Sequence, residues 1–374
     1  MSKILIYEPD YTGHHSEYIN NILTYLQFSS IDTKVYFAFH SKIEDMLNLR
    51  NRKIPNVEYI ILPTTKKTGI FRKFFYQLSE IKSIVNKLKI NRVILLNLNS
   101  LFVSLALCKY NFFISGIIFN TYNPNYENYS FFKRISKELY YGIVCKRRMI
   151  RKLFILNDEK SCEYLNKHFH TDKFHYLPDP IPYYEKEELS KEIVGIKKER
   201  KIALHFGIMS ERKGTFLILD TIAILPVDII KKVSFFFIGK PCSEVFEVLL
   251  KNKIDQLKAQ IPNISIYYYP NFVSSGQMES YYELSDFVLM PYISNNMSSG
   301  VLGHAAKHNK PVITGRGLLG EIVKEYDLGL SIDISIENLN KSIQKLMLGK
   351  KEVTGIQYVK KRNINLFVKT LFET

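Results

Sequence analysis

Residues 284–321 read LSDFVLMPYISNNMSSGVLGHAAKHNKPVITGRGLLGE. The apolar run Phe287-Val288-Leu289-Met290 predicts a buried strand, followed by the polar loop Asn295-Asn296-Met297-Ser298-Ser299-Gly300. A helix is expected over about 301–308, then a second strand over 311–314 and a glycine-bearing turn. A loop of small residues that opens a helix between two parallel strands leaves backbone N–H groups without intrahelical partners. Those groups and the positive end of the helix dipole favour an anion, typically a phosphate.

Outward from this stretch the same alternation continues. Strands are expected at 202–206, 233–238, 264–269, 287–290, 312–314 and 330–332, with helices at 213–224, 243–258, 276–284 and 299–308. The first half repeats the pattern, with strands at 3–7, 34–39, 57–62, 92–97, 113–120, 153–156 and 174–177. Helical stretches at 14–27, 71–89 and 132–149 lie between them. Alternating strands and helices predict an α/β fold with parallel sheets covered on both faces. Leu177-Pro178-Asp179-Pro180-Ile181-Pro182 interrupts the series, since three prolines in five residues exclude a helix. The expected organisation is an N-terminal domain over 1–180, a linker over 181–200 and a C-terminal domain over 201–355. A last helical stretch, 356–374, is expected to pack back on the N-terminal domain. Two doubly wound, Rossmann-like halves would face a central cleft at the carboxyl ends of their strands.

Composition narrows the class. The chain has 374 residues, 46% hydrophobic, with charge spread along its length, which excludes an unfolded polyelectrolyte. The cysteines (Cys108, Cys145, Cys162 and Cys242) form no CxxC pair, which points to a reducing, cytoplasmic setting without zinc or disulfides. The opening MSKILIYEPDYTG lacks a signal-like apolar run, and Lys109, Tyr110 and Asn111 break the most apolar window. The formal charge of +16 calls for a polyanionic neighbour: nucleic acid, an anionic membrane or a charged substrate. Lys66, Lys67, Arg72 and Lys73 surround Phe71, Phe74, Phe75 and Tyr76. From residue 131 to 152 there are eight basic residues against one acidic, interleaved with Phe131, Phe132, Tyr140 and Tyr141. Cations beside aromatic rings on a helix suit a membrane surface, and a solvated helix with its rings inward is the alternative.

Several motifs carry less. Gly315-Arg316-Gly317-Leu318-Leu319-Gly320 has the form GxGxxG, but no complete βαβαβ unit follows it, so a nicotinamide or flavin is not expected. His168, His170, Asp172 and His175 lack metal-ligand spacing, and no metal is expected. Gly207-Ile208-Met209-Ser210-Glu211-Arg212-Lys213-Gly214 follows the first strand of the second half and joins glycines to a hydroxyl and two cations suited to phosphate. In the first half, Thr12-Gly13-His14-His15-Ser16-Glu17 ends the first strand and starts a helix, where a histidine can act as a base or bind a hydroxyl.

These landmarks resemble the glycosyltransferases of the GT-B fold, most like family 4. They are Gly207…Lys213-Gly214, Phe237-Ile238-Gly239-Lys240, Tyr269…Tyr282…Leu284-Ser285-Asp286, Gly300…Ala305…Lys310-Pro311-Val312-Ile313 and Gly317…Glu321-Ile322-Val323. Gly13-His14-His15 looks like the family's glycine-rich loop. The resemblance covers about residues 1–350 and is most specific in 201–325. It implies a nucleotide diphosphate sugar held mainly by the second domain and an acceptor held mainly by the first. Donor binding is implied for Gly207, Arg212, Lys213, Asn271, Phe272, Asn296, Ser298, Ser299, Gly300, Val301, His304 and Glu321. Acceptor binding is implied for Gly13, His14, His15, Asn120 and Tyr122, and the catalytic candidates are His14, His15 and Lys213. The chain departs from the family at several of these positions. The family's Glu-x7-Glu pair falls on Asn296, at the donor sugar, and His304, at the ribose. Its phosphate-binding arginine falls on Ile208, and its histidine after the fifth strand is absent.

The resemblance thus implies a metal-independent hexosyltransferase that needs no cofactor beyond its nucleotide-sugar co-substrate. The basic aromatic helices of the first domain point to a glycan or lipid-linked acceptor hydroxyl in cell-surface polysaccharide or glycolipid synthesis, with the chain peripheral at the inner face of the cell membrane. A nucleotide-sugar epimerase of the same fold, a catalytically silent sugar-binding relative, and a polyanion- or nucleic-acid-binding protein remain alternatives.

Overall fold

The computed structural model describes residues 2–11, 15–29, 32–63, 70–119, 121–122, 130–293, 298–349 and 351–373. It divides into two units, residues 1–180 with 362–374, and residues 181–361.

The first unit is built on seven strands: β1 (Ser2–Glu8), β2 (Thr33–His40), β3 (Val57–Leu62), β4 (Arg92–Leu95), β5 (Phe113–Ile118), β6 (Ile150–Leu156) and β7 (Phe174–Leu177). They form one parallel sheet in the order β3-β2-β1-β4-β5-β6-β7. Side chains alternate across a strand, so β1 feeds two cores. Leu5 and Tyr7 pack with Leu78, Ile81 and Val85 of the helix Ile70–Leu88. Ile4 and Ile6 pack on the other face with Ile19, Ile22 and Leu23 of the helix His15–Phe28. That second core also takes Phe367, Val368 and Leu371 from the last helix, Ile364–Phe372, which therefore belongs to the first unit. Arg362, buried where the chain returns, donates through Nε to Asn157 Oδ1 at 2.9 Å.

The second unit has six strands: β8 (Lys201–Phe206), β9 (Val233–Ile238), β10 (Ile266–Tyr269), β11 (Phe287–Met290), β12 (Val312–Gly315) and β13 (Gly329–Ile332). Their order is β10-β9-β8-β11-β12-β13, again all parallel. Every residue of β9 and β11 is buried, which is why both read as unbroken apolar runs.

Residues 181–200, expected to be a linker, lie within the second unit. Ile181 packs where a Cβ on Gly303 would sit, 2.9 Å away. Ser274 Oγ donates to Glu187 at 2.7 Å, and Lys197 pairs with Asp286. Prolines stiffen this stretch, and its polar groups find partners on the neighbouring helices.

Candidate functional site

In both sheets the strand order reverses beside the first strand, between β1 and β4 and between β8 and β11. Connections leave such a point in opposite directions and open a crevice at the carboxyl ends of the strands. In the second unit the two phosphate-suited loops emerge there, one after β8 and the other after β11.

The β8 loop is set by close backbone packing. Gly239 has φ +131°, and a Cβ there would lie 2.3 Å from Gly207 O. Gly214 has φ +70°, and a Cβ there would meet Pro291 O at 2.2 Å. Only glycine fits both positions, so the ends of β8, β9 and β11 are drawn together. Beneath the loop, His205 is 1% exposed. Its Nδ1 lies 3.0 Å from Leu289 O and its Nε2 3.0 Å from Thr215 Oγ1. A carbonyl only accepts, so Nδ1 carries the proton and the Thr215 hydroxyl donates to Nε2. Thr215 Oγ1 in turn accepts from Ser210 N–H at 3.1 Å. Burial lowers the His205 pKa to about 4, against the opposing bond to Leu289 and with help from the charge of Lys213. The neutral ring thus ties β8, β11 and the loop into one piece.

Lys213 ends a 3-10 turn, Glu211–Lys213, and is half-buried. Its Nζ donates to Phe206 O at 3.3 Å and lies 5.4 Å from the Tyr292 ring centre. A Cβ on Gly207 would come within 2.7 Å of that Nζ, so the ammonium sits directly over the glycine. Arg212 is exposed, with its guanidinium 5.8 Å from the same Tyr292 ring. Its carbonyl accepts from Ile293 N–H at 2.9 Å, which joins the β8 loop to the β11 loop.

The β11 loop leads into the helix Gly300–Lys307. Its N-cap, Ser299, is extended and no side chain caps the first turn. Backbone N–H groups at Gly300 and Val301 therefore stand at the helix start without a side-chain cap, and Ser298 and Ser299 supply hydroxyls beside them.

One turn further, His304 is 8% exposed and stacked on Tyr282 at 5.5 Å, which in turn contacts Phe206 at 5.2 Å. Its Nδ1 is 3.3 Å from Glu279 Oε1, within ion-pair range but poorly aligned for a hydrogen bond. Glu279, 1% exposed, also accepts from Lys307 Nζ at 2.8 Å and His308 Nε2 at 2.6 Å. Burial alone would raise the Glu279 pKa, yet the nearby His304 and the bonds from His308 and Lys307 prevail and hold it below the carboxylate range. The position aligned with the family's ribose-binding carboxylate thus carries an imidazole backed by a buried carboxylate from the helix Ser275–Leu284.

Other expected donor residues lie further out. Asn271 and the 88% exposed Phe272 follow β10, an edge strand separated from β8 by β9. Glu321 is half-buried in the first turn of the helix Leu318–Glu325, which follows β12, the neighbour of β11. Asn296 lies outside the described residues. Gly320 packs that helix on its strands, since a Cβ there would meet Ser331 Oγ at 2.5 Å.

In the first unit, Gly13, His14 and Asn120 lie outside the described residues. Tyr122, expected to reach an acceptor, is instead 0% exposed, and its hydroxyl donates to Glu138 at 2.6 Å. Its ring belongs to the core beside Tyr141, so the hydroxyl is committed internally. His15 opens the helix His15–Phe28, with Nδ1 2.7 Å from Oε2 of Glu8, the last residue of β1. Glu8 Oε1 accepts from Asp10 N–H at 2.9 Å. Glu8, Asp10 and His15 are the one gathering of three ligand-type side chains among the described residues, all within 4.8 Å. Both Glu8 oxygens are already committed to hydrogen bonds, which marks the group as a hydrogen-bonded network. Neither Glu8 nor Glu279 was anticipated from sequence.

The helix Phe131–Lys146 carries Phe131, Phe132, Ile135 and Leu139 on its surface, 71%, 83%, 49% and 58% exposed. Arg134 and Lys146 of that helix and Arg148 just after it are exposed, whereas Tyr141 is buried. On the helix Ile70–Leu88, Phe75 and Tyr76 are exposed, and the side chains of residues 70–74 lie outside the description, as do Lys66 and Lys67. Among the described residues no helix is long and apolar enough to cross a membrane.

Residues 186–362 match the family model of glycosyl transferases group 1. The whole chain has the GT-B fold. It is similar in structure to WaaG, a glycosyltransferase involved in lipopolysaccharide biosynthesis, with TM-score 0.68 and 16% identity over 99% of this chain and 98% of that one. It is similar to Anabaena HepE in complex with UDP and glucose, with TM-score 0.71 and 13% identity over 100% and 99%. Sucrose-phosphate synthase from Thermosynechococcus elongatus aligns with TM-score 0.70 and 12% identity over 99% and 97%. No curated protein matches the chain in sequence.

Proposed function

We propose that this chain moves a hexosyl group from a nucleoside diphosphate sugar to a hydroxyl of a glycan or lipid-linked acceptor. The observation that carries the reading is the meeting of two loops at the β8/β11 switch point. The Lys213 ammonium and the uncapped start of Gly300–Lys307 both stand in the second unit there. A diphosphate leaving group gains negative charge as the sugar departs. Lys213, Arg212 and the helix start would stabilise that charge without a metal. Nucleotide-sugar use is supported by the similarity to HepE, which has been captured with UDP-glucose.

A thermal-shift panel of UDP, GDP, ADP and their sugars tests this. A nucleotide at about 100 times its Kd adds about 2.7 kcal/mol, a rise of roughly 5–10 °C for a unit of this size. A panel with no shift would refute the donor site.

On the same reading the acceptor would be met at a membrane surface on the cytoplasmic side, in polysaccharide or glycolipid synthesis. Exposed phenylalanines beside exposed arginines favour a lipid interface over nucleic acid, which gains little from apolar side chains at a helix surface. Flotation with anionic vesicles and a salt-titrated RNA assay separate the two.

A further inference from the structure

We propose that Tyr292 is a positioning residue for the donor diphosphate, its ring holding the Lys213 ammonium and the Arg212 guanidinium in place without neutralising either. This rests on the donor reading above and concerns the second unit alone.

Tyr292 follows β11 and is 3% exposed. Its N–H donates to Met290 O at 2.7 Å, closing a tight turn centred on Pro291. The next residue, Ile293, donates its N–H to Arg212 O at 2.9 Å. Pro291 itself lies against the end of the facing loop, where a Cβ on Gly214 would meet its carbonyl at 2.2 Å. Backbone contacts on both sides of Tyr292 thus fix its place beside residues 212–214. Two cations lie over its ring, Lys213 Nζ at 5.4 Å and the Arg212 guanidinium at 5.8 Å from the centre. Both are inside the range, about 6 Å, in which a ring face attracts a cation. The Tyr292 hydroxyl is buried and has no hydrogen-bond partner, so the ring face is the part that acts.

A ring does here what a carboxylate could not. A carboxylate would also fix a lysine, but it would cancel the charge and repel an incoming phosphate. An aromatic face attracts a cation through its quadrupole and carries no net charge. Among the described residues, neither Arg212 nor Lys213 forms an ion pair with a carboxylate. The other anchor of Lys213, Phe206 O at 3.3 Å, is likewise neutral. The loop therefore presents two uncancelled positive charges on side chains already held in place. Long side chains ordered before a ligand arrives lose less conformational freedom when it binds.

Calorimetric titration of the full chain with UDP, GDP and ADP, carrying the tightest binder through the variants, tests the proposal. Tyr292→Leu should raise its Kd roughly 3- to 10-fold, whereas Tyr292→Phe, which keeps the ring, should stay within about twofold of wild type. Fluorinated phenylalanines in place of Tyr292 keep the shape while draining the negative ring face. The 3,5-difluoro and then the 3,4,5-trifluoro analogue should raise the Kd stepwise, a trend that a merely packed side chain would not follow. In an Arg212→Ala, Lys213→Ala background the same series should be flat. The fluorinated series decides the matter even where Tyr292→Leu fails to fold. Proton NMR of the nucleotide-free chain should show the Lys213 ε-methylene signals moved upfield by the ring, and Tyr292→Leu should remove that shift. A flat fluorination series in the otherwise wild-type chain, or no upfield shift at Lys213, overturns the proposal. A wild-type chain that keeps the shift yet binds none of the three nucleotides overturns the donor reading, and with it this role, so the two failures are distinguishable.

Discussion

Replacing Lys213 by alanine probes the donor site directly. Its ammonium is half-buried over Gly207, anchored to Phe206 O at 3.3 Å and facing the Tyr292 ring at 5.4 Å. A phosphate oxygen within about 4 Å of it gains on the order of 4 kcal/mol at an effective dielectric of about 20. Desolvation of both groups takes back part of this, leaving about 1.5–3 kcal/mol for one charge-assisted hydrogen bond. At about 1.4 kcal/mol per tenfold, the Kd for UDP should rise about 10- to 150-fold. Arg212 is exposed and screened, so Arg212→Ala should cost only about 1.5- to 5-fold. Calorimetric titration at low and high salt measures both, and the Lys213→Ala isotherm should show the weaker salt dependence. The Lys213 bond to a carbonyl is partly solvated, so the free variant should melt close to wild type. A Kd change below about twofold in a folded Lys213→Ala variant, roughly 0.4 kcal/mol, would refute the assignment.

Other perturbations have equally definite outcomes. The His205 pKa is depressed to about 4 from its ordinary 6.5, so the unfolded chain binds more protons between those values. Stability should therefore fall by about 3 kcal/mol as pH drops through that window, and His205→Gln should flatten this slope in denaturant titrations. Gly239→Ala places a Cβ 2.3 Å from Gly207 O at φ +131°. It should cost about 1–3 kcal/mol in stability and weaken UDP binding, both read from thermal melts with and without nucleotide. Phe131→Asp with Phe132→Asp should abolish flotation with anionic vesicles while changing stability by less than about 0.5 kcal/mol per site, since both rings are mostly exposed.

Much of the fold was legible because parallel strands buried on both faces leave unbroken apolar runs, as in Val288 and Leu289 or Phe235 to Phe237. The shape of the loop after β8 was legible for a related reason: only glycine fits at Gly214, and it stands at a fixed spacing from the strand. What escaped was long-range pairing. Glu8 ends an apolar strand and Glu279 lies on a helix of mixed polarity, so nothing local marks either as buried. Each is kept inside by cationic or imidazole partners that the topology delivers from elsewhere, His15 in one case and His304, Lys307 and His308 in the other. Tyr122 misled in the opposite sense. An aromatic in an asparagine- and proline-rich loop reads as exposed, but Glu138 captures its hydroxyl and its ring fills the core. The linker misled because three prolines announce a stiff connection without revealing that Ile181 and Glu187 are seated on neighbouring helices.

Amide hydrogen exchange with and without UDP addresses the donor assignment most directly. UDP should slow exchange in residues 207–214 and at the start of Gly300–Lys307, with the basic helix Phe131–Lys146 unchanged. Protection confined to that basic helix, or absent from both loops after β8 and β11, would contradict the assignment of the diphosphate to the second unit.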